Sequence, residues 1–228
     1  MIRRLAAIYD VHGNLPALEA VISDVRQSKV DAIVVGGDVL PGPMPAECLD
    51  LLFALEMPVH CISGNGERAV IEMLDGAEYA ALPNTVRESI RWTGAQLNDE
   101  HLKRIRAWPP MLELSVDGVG DVLFCHATPR NDMDIFTKQT SERELLSSFE
   151  NVSADIVVCG HTHMQFDRVI GHVRVVNAGS VGMPFGEPGA YWMLMGPDAA
   201  MQRTSYDVVR AAERIGETAF FTGRMDRS

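Results

Sequence analysis

Seven side chains of metal-binding type recur through the chain at short spacings. Asp10 and His12 form an Asp-x-His pair, Asp38 follows two glycines and Asn65 follows one, His126 stands alone, and His161 and His163 form Gly-His-x-His. Oxygen and imidazole donors in this mixture suit divalent Mn, Fe, Zn, Co or Ni, and the lack of cysteine in the set argues against a structural zinc knot. Asp38 carries two carboxylate oxygens and could bridge two cations. Paired ions roughly 3.5–4 Å apart can hold a hydroxide as nucleophile and clamp phosphate oxygens. Two dications less two carboxylates and one hydroxide leave about one net positive charge, which attracts a phosphate anion. Singly, each residue has a blander reading. Asp10 or Asp38 could be a cap or turn residue, His126 a satisfied core histidine, and His161 and His163 neighbours on one face of an extended segment. The weight lies in the joint pattern, in which four of the seven histidines stand at such positions beside carboxylates.

Apolar patterning indicates what would hold them together. Leu5 to Tyr9, Ala32 to Val35, Val59 to Ser63, Asp121 to Cys125 and Ile156 to Cys159 read as strands, and each runs into a candidate residue at its C-terminal end. In α/β folds that edge binds ligands. A helix is expected from about Leu15, capped by Asn14 with Pro16 in its first turn, because Leu15, Leu18, Val21, Ile22 and Val25 recur at helical spacing. A second helix runs from about Pro45 to Leu55. The resulting β-α-β-α-β order implies parallel strands with right-handed crossovers. From about 67 to 107 the chain is helical in character and could cover the sheet or cap the site. Met111 to Val116 turns at Asp117-Gly118 into the next strand, Phe166 to Ile170 and Val173 to Asn177 flank a Gly171-His172 hairpin turn, and Ala190 to Met195 is expected as the last strand. No repeat or linker divides residues 1–228, so one domain is expected.

Composition narrows the function. With 228 residues, 46% of them hydrophobic, the chain can bury a core without disulfides. A net charge of -11 disfavours broad attachment to nucleic acid or an anionic membrane, and no basic cluster offsets it. Cys48, Cys61, Cys125 and Cys159 include no Cys-x-x-Cys pair and read as reduced, buried thiols. The opening Met-Ile-Arg-Arg-Leu enters a strand without a signal segment, and no apolar run nears the ~20 residues that span a bilayer. A cytoplasmic protein acting on a small phosphate ester is expected, with its oligomeric state left open.

The ordered motifs Asp-x-His, Gly-Gly-Asp, Gly-Asn, a strand-end His and Gly-His-x-His resemble the calcineurin-like metallophosphoesterase superfamily from Asp10 to about Asp207. Asp10-Val11-His12-Gly13-Asn14, Cys125-His126-Ala127-Thr128-Pro129 and Asn177-Ala178-Gly179-Ser180-Val181-Gly182 are most similar to its small prokaryotic phosphodiesterase branch. The resemblance implies an α/β/β/α sandwich of two mixed sheets flanked by helices, with metals at the C-terminal strand ends. It further implies that Asp10, His12 and His163 hold one metal, that Asn65, His126 and His161 hold the other, and that Asp38 bridges. Two divalent ions are expected, manganese first among the candidates. One position departs from the pattern. Many relatives read Gly-Asn-His followed by Asp or Glu, with the His assisting the leaving group, whereas this chain reads Gly64-Asn65-Gly66-Glu67. General-acid help is worth roughly 10²–10⁴-fold, so activated or low-pKa leaving groups, or water as the proton donor, are expected. Glu67 could support the site or sit exposed in a first helical turn.

Other residues carry open alternatives. Arg130 could hold a phosphate oxygen or be an ordinary surface arginine. Ser180 lacks a neighbouring base and is not read as a nucleophile. His60, His101 and His172 read as structural or solvated, and the three tryptophans as packing. The expected activity is phosphodiester hydrolysis by attack of a metal-bridging hydroxide. The alternatives are a phosphomonoesterase or protein phosphatase on the same site, or a non-catalytic scaffold for a protein partner.

Overall fold

The computed structural model describes residues 2–220. β1 (Leu5–Ile8), α1 (Leu15–Gln27), β2 (Ala32–Val35), α2 (Pro45–Phe53) and β3 (Val59–Cys61) form the alternating start, with the three strands parallel. α3 (Asn65–Leu74), α4 (Asn84–Ala95) and α5 (Asp99–Arg106) fill the expected helical stretch. Then come β4 (Met111–Val116), β5 (Gly120–Cys125), α6 (Glu142–Phe149), β6 (Ile156–Cys159), β7 (Phe166–Ile170) and β8 (Val173–Asn177). β9 (Ala190–Met195), β10 (Ala199–Thr204) and α7 (Val208–Gly216) complete the order. One sheet runs β10-β9-β1-β2-β3 and the other β4-β5-β6-β8-β7. Both are mixed: β5, β6 and β8 lie parallel, while β4, β7 and the β9-β10 hairpin pair antiparallel to their neighbours.

Side-chain alternation assigns each strand face to a layer. Leu5, Ala7 and Tyr9 pack against Phe124, Val158, Val176 and Met193 between the sheets. Ala6 and Ile8 face the other way, into a core with Leu18, Val21, Ile22 and Val25 of α1 and Leu49 of α2. Beyond the second sheet, Val157, Val173 and Val175 pack on Leu145 and Phe149 of α6. Helices thus cover both outer faces of a two-sheet sandwich, the expected α/β/β/α arrangement. Because β1, β2 and β6 are buried on both faces, their sequences read as unbroken apolar runs. α1 starts as expected, with Asn14 Oδ1 accepting from Ala17 N at 3.1 Å.

Several boundaries differ from the sequence reading. β3 stops at Cys61, and Ser63 N–H turns away to Pro109 O at 2.9 Å. Ala190–Met195 is not the last strand. β10 follows it as an edge strand reading Ala-Ala-Met-Gln-Arg-Thr, with Thr204 its one buried residue, so no apolar alternation marks it. α6 and α7 were also unforeseen; only Leu145 and Phe149 are buried in the first, and only Ala211 in the second. Among the described residues, no helix is long and apolar enough to cross a membrane.

Candidate metal centre

Five strands end at one edge of the sandwich and bring all seven predicted residues together. β1 leads to Asp10 and His12, β2 to Asp38, β3 to Asn65, β5 to His126, and β6 to His161 and His163. The donor atoms of Asp10, His12 and His163 lie within 4.8 Å of one another, as do those of Asp38, His126 and His161. Asn65 Oδ1 joins the second group, 3.1 Å from His126 Nε2. Asp38 Oδ2 stands between the groups, 3.4 Å from His126 Nε2 and 3.8 Å from His12 Nε2.

Backbone strain is concentrated at these residues. Asp10, His12, Asp38, His161 and His163 have φ of 54°, 46°, 53°, 64° and 59°, in the left-handed region. Each costs about 1–2 kcal/mol for a residue with a Cβ, so the surrounding structure must impose the conformation. The loops do so by bonding one another: Asp10 N–H donates to Gly37 O at 3.1 Å, His12 N–H to Asp38 O at 2.9 Å, and Gly182 N–H to Asp10 O at 3.0 Å. His161 and His163 therefore do not share an extended face. The chain kinks at both, and each ring goes to a different group of donors.

The imidazoles are aimed from behind. A carbonyl can only accept, so a ring nitrogen bonded to one must carry the hydrogen. His126 Nδ1 donates to Gly36 O at 3.0 Å, His163 Nδ1 to Met183 O at 2.7 Å and His12 Nδ1 to Pro41 O at 3.4 Å. All three Nε2 atoms are left pointing inward, where each neutral ring offers a lone pair, the usual preparation of a histidine ligand. They converge on Asp10 Oδ1, at 3.3 Å for His163 and 3.9 Å for both His12 and His126. That oxygen is buried and has no hydrogen-bond partner. Burying an acceptor this way costs about 1–3 kcal/mol, and a divalent cation before it would satisfy it. Divalent cations therefore fit the donor set.

Protonation follows the same geometry. Burial disfavours charge on His126, but the adjacent Asp38 and Asp10 carboxylates outweigh it and push its pKa up to about 10. Burial likewise opposes charge on Asp38, yet His126 and His12 hold it well below the carboxylate range. His12 is lowered, mainly by burial, and His161 by burial and the neighbouring His126.

Glu67 supports the site and is fully buried rather than exposed. Its Oε2 accepts from Asp38 N at 2.8 Å and Gly64 N at 2.9 Å, and its Oε1 from Leu40 N at 2.9 Å. Burial, then the Asp38 charge, push its pKa up to about 7, against the pull of those three N–H groups. Beside it, Gly66 N–H donates to Asp38 Oδ1 at 2.7 Å. A Cβ on Gly66 would stand 2.0 Å from Leu40 O and 2.9 Å from Asp38 Oδ1. This chain therefore has no room for an imidazole at this position. Gly66→Ala is expected to lower stability by about 1–3 kcal/mol, the usual cost of overpacking, read as a drop in Tm. An unchanged Tm would show that the 40-loop yields freely.

The remaining sequence candidates separate cleanly. Ser180 Oγ donates to Asp10 O at 2.8 Å and accepts from Met183 N at 2.8 Å, so it braces the loop. His101 is buried with Nε2 2.9 Å from Asp50 Oδ1, and His172 Nε2 donates to Val152 O at 2.9 Å. His60 lies within β3. Arg130 is exposed, on the wall of a cleft of about 520 Å³ that reaches His126. All four cysteines are free thiols.

Two packed mixed sheets with a histidine and carboxylate cluster at the strand ends define a metal-dependent phosphoesterase architecture. Residues 4–197 match the calcineurin-like phosphoesterase superfamily domain, and the chain belongs to that family of metal-dependent phosphoric ester hydrolases. It is 28% identical over 238 residues to the uncharacterised protein MJ0912 of Methanocaldococcus jannaschii, covering 92% of this chain and 91% of that one. A metallophosphoesterase from Sphaerobacter thermophilus superposes with a TM-score of 0.74 at 28% identity, over 95% of this chain and 94% of the other. The hypothetical protein PH1004 of Pyrococcus horikoshii shares the fold, with a TM-score of 0.80 at 19% identity, covering 93% and 92% of the two chains.

Proposed function

We propose that the chain is a phosphodiesterase working with two divalent cations, manganese first among them. Asp10, His12 and His163 would hold one, Asn65, His126 and His161 the other, and Asp38 would serve both. The observation that carries this reading is the convergence of the inward Nε2 atoms on the buried, unpartnered Asp10 Oδ1. Bound cations would supply an acidified water as nucleophile and positive charge to clamp the phosphoryl oxygens.

The protein's part is to hold this arrangement and keep it in one protonation state. Carbonyls at Gly36, Pro41 and Met183 fix the rings, and the Asp10 and Asp38 carboxylates set the charge. The position beside Asn65 offers no side chain to protonate a departing oxygen, so that proton comes from solvent and low-pKa leaving groups are favoured. A diester is preferred to a monoester because it has an organic group on each side of phosphorus, and the cleft beside His126 gives the second group a place. The test is hydrolysis by metal-stripped protein titrated with Mn²⁺, using bis(4-nitrophenyl) phosphate beside 4-nitrophenyl phosphate. Faster turnover of the diester is expected. A strong monoester preference would reverse the ordering, and no turnover with any divalent metal would favour the scaffold reading.

Loading should also release a proton. Below about 10 the metal-free His126 keeps its proton, and a cation needs the neutral ring, so it must displace that proton. Affinity should therefore tighten as pH rises towards that value. Calorimetry at pH 8 in two buffers of different ionisation enthalpy should show roughly one proton released per site loaded at His126. Buffer-independent heats would contradict this.

A further inference from the structure

The cleft beside the metal centre has a mixed lining. It touches His126, and residues of α3, α5 and the Thr128–Asp132 loop line it. Ile71, Ile105, Trp108 and Met111 give it apolar surface. A second hollow of about 420 Å³ continues past Arg130 and shares Met111 and Pro129 with the first. Arg130 thus stands where the two meet.

Three arginines line the first cleft, and they differ in charge balance. Arg68 is bonded twice to Asp132, at 2.7 and 3.0 Å, and Arg106 twice to Asp75, at 2.8 and 2.7 Å. The Arg130 guanidinium has no carboxylate or other hydrogen-bond partner among the described residues; only its backbone N–H is engaged, with Thr128 Oγ1. Its loop is nonetheless firmly built. Thr128 N–H donates to Asn131 O at 3.0 Å, Asn131 Oδ1 accepts from Met133 N and Asp134 N at 2.8 Å each, and Asp132 ties the loop to α3 through Arg68. A fixed backbone therefore carries a free cation in a protein of net charge -11.

Resting on the phosphodiester reading above, we propose that this cleft seats the leaving group, and that Arg130 receives a second phosphoryl group carried by it. The substrate class is a small organic bis-phosphate: a diester at the metal centre, an apolar body against Trp108 and Ile105, and a second anion at Arg130. The planar guanidinium fork matches phosphate oxygens. In the reaction, water oxygen bonds to phosphorus as the bond from phosphorus to the leaving oxygen breaks. One water proton ends on that oxygen, and the products are a monoester and an alcohol that keeps the second phosphate.

Binding of adenosine 3′,5′-bisphosphate and of adenosine 5′-monophosphate, measured by calorimetry on the Mn²⁺-loaded protein, tests this without requiring turnover. The bisphosphate should bind about tenfold or more tightly than the monophosphate, the gain expected from one charge-assisted contact. Arg130→Ala should bring that ratio close to one, whereas Arg106→Ala, whose guanidinium is already held by Asp75, should leave it standing. A wild-type ratio near one, a ratio that survives in Arg130→Ala, or an equal collapse in Arg106→Ala would overturn the proposal. Failure of phosphodiester turnover would instead count against the functional reading, since the binding ratio is read separately.

Discussion

Asp38→Asn is expected to lose Mn²⁺-dependent turnover of an activated phosphodiester by about 10²–10⁴-fold while keeping its fold. The substitution isolates charge from shape. Asn is among the residues that best tolerate a left-handed backbone, and Asp38 sits at φ 53°. The amide keeps an acceptor for Gly66 N–H, which Asp38 Oδ1 receives at 2.7 Å. What disappears is the negative charge between the two groups of donors, where Asp38 Oδ2 faces His126 and His12. Charge stabilisation by a metal site is worth several kcal/mol, and about 1.4 kcal/mol is a factor of ten in rate. Circular dichroism should match wild type, and Mn²⁺ binding by calorimetry should weaken in parallel with activity. A variant within about tenfold of wild type on both counts would remove Asp38 from the centre of the mechanism.

Much of this site was legible because its parts obey local rules. A strand buried on both faces must be an apolar run, so the ends of β1, β2 and β6 announce themselves, and Asp10, Asp38 and His161 follow within three residues. Other parts depend on contacts remote in sequence. The carbonyl that orients His126 belongs to Gly36, and the one that orients His163 belongs to Met183, in a loop whose path follows only from the assembled sheets. Left-handed backbone at His161 and His163 leaves no mark on residue type, which is why Gly-His-x-His also suited an extended segment. The cleft arises from the packing of α3 and α5 against the loop after His126, which periodicity does not reveal. Similarly, the edge strand β10 takes its pairing from β9 rather than from any pattern of its own.

Glu67 shows most clearly how a position ambiguous in sequence becomes decisive in the fold. Its carboxylate accepts three N–H groups, from Asp38, Leu40 and Gly64, and so joins the ends of β2 and β3 at the point where Asp38 enters its strained conformation. In Glu67→Ala all three donors lose their partner in a buried place. Each such loss costs about 1–3 kcal/mol, so a total of roughly 3–6 kcal/mol is expected, allowing for relaxation. That is a large share of the about 5–15 kcal/mol available to a typical domain. Glu67→Gln should cost less, because its carbonyl can still serve Asp38 and Gly64 while its amide confronts only Leu40 N–H. Urea unfolding of the metal-free proteins should therefore rank wild type above Gln and Gln above Ala. Folded Gln variant should also bind Mn²⁺ more weakly, since Asp38 would be held less firmly at φ 53°. Equal stability of the three proteins would mean that water replaces the carboxylate. The strained backbone at Asp38 would then need another source of support.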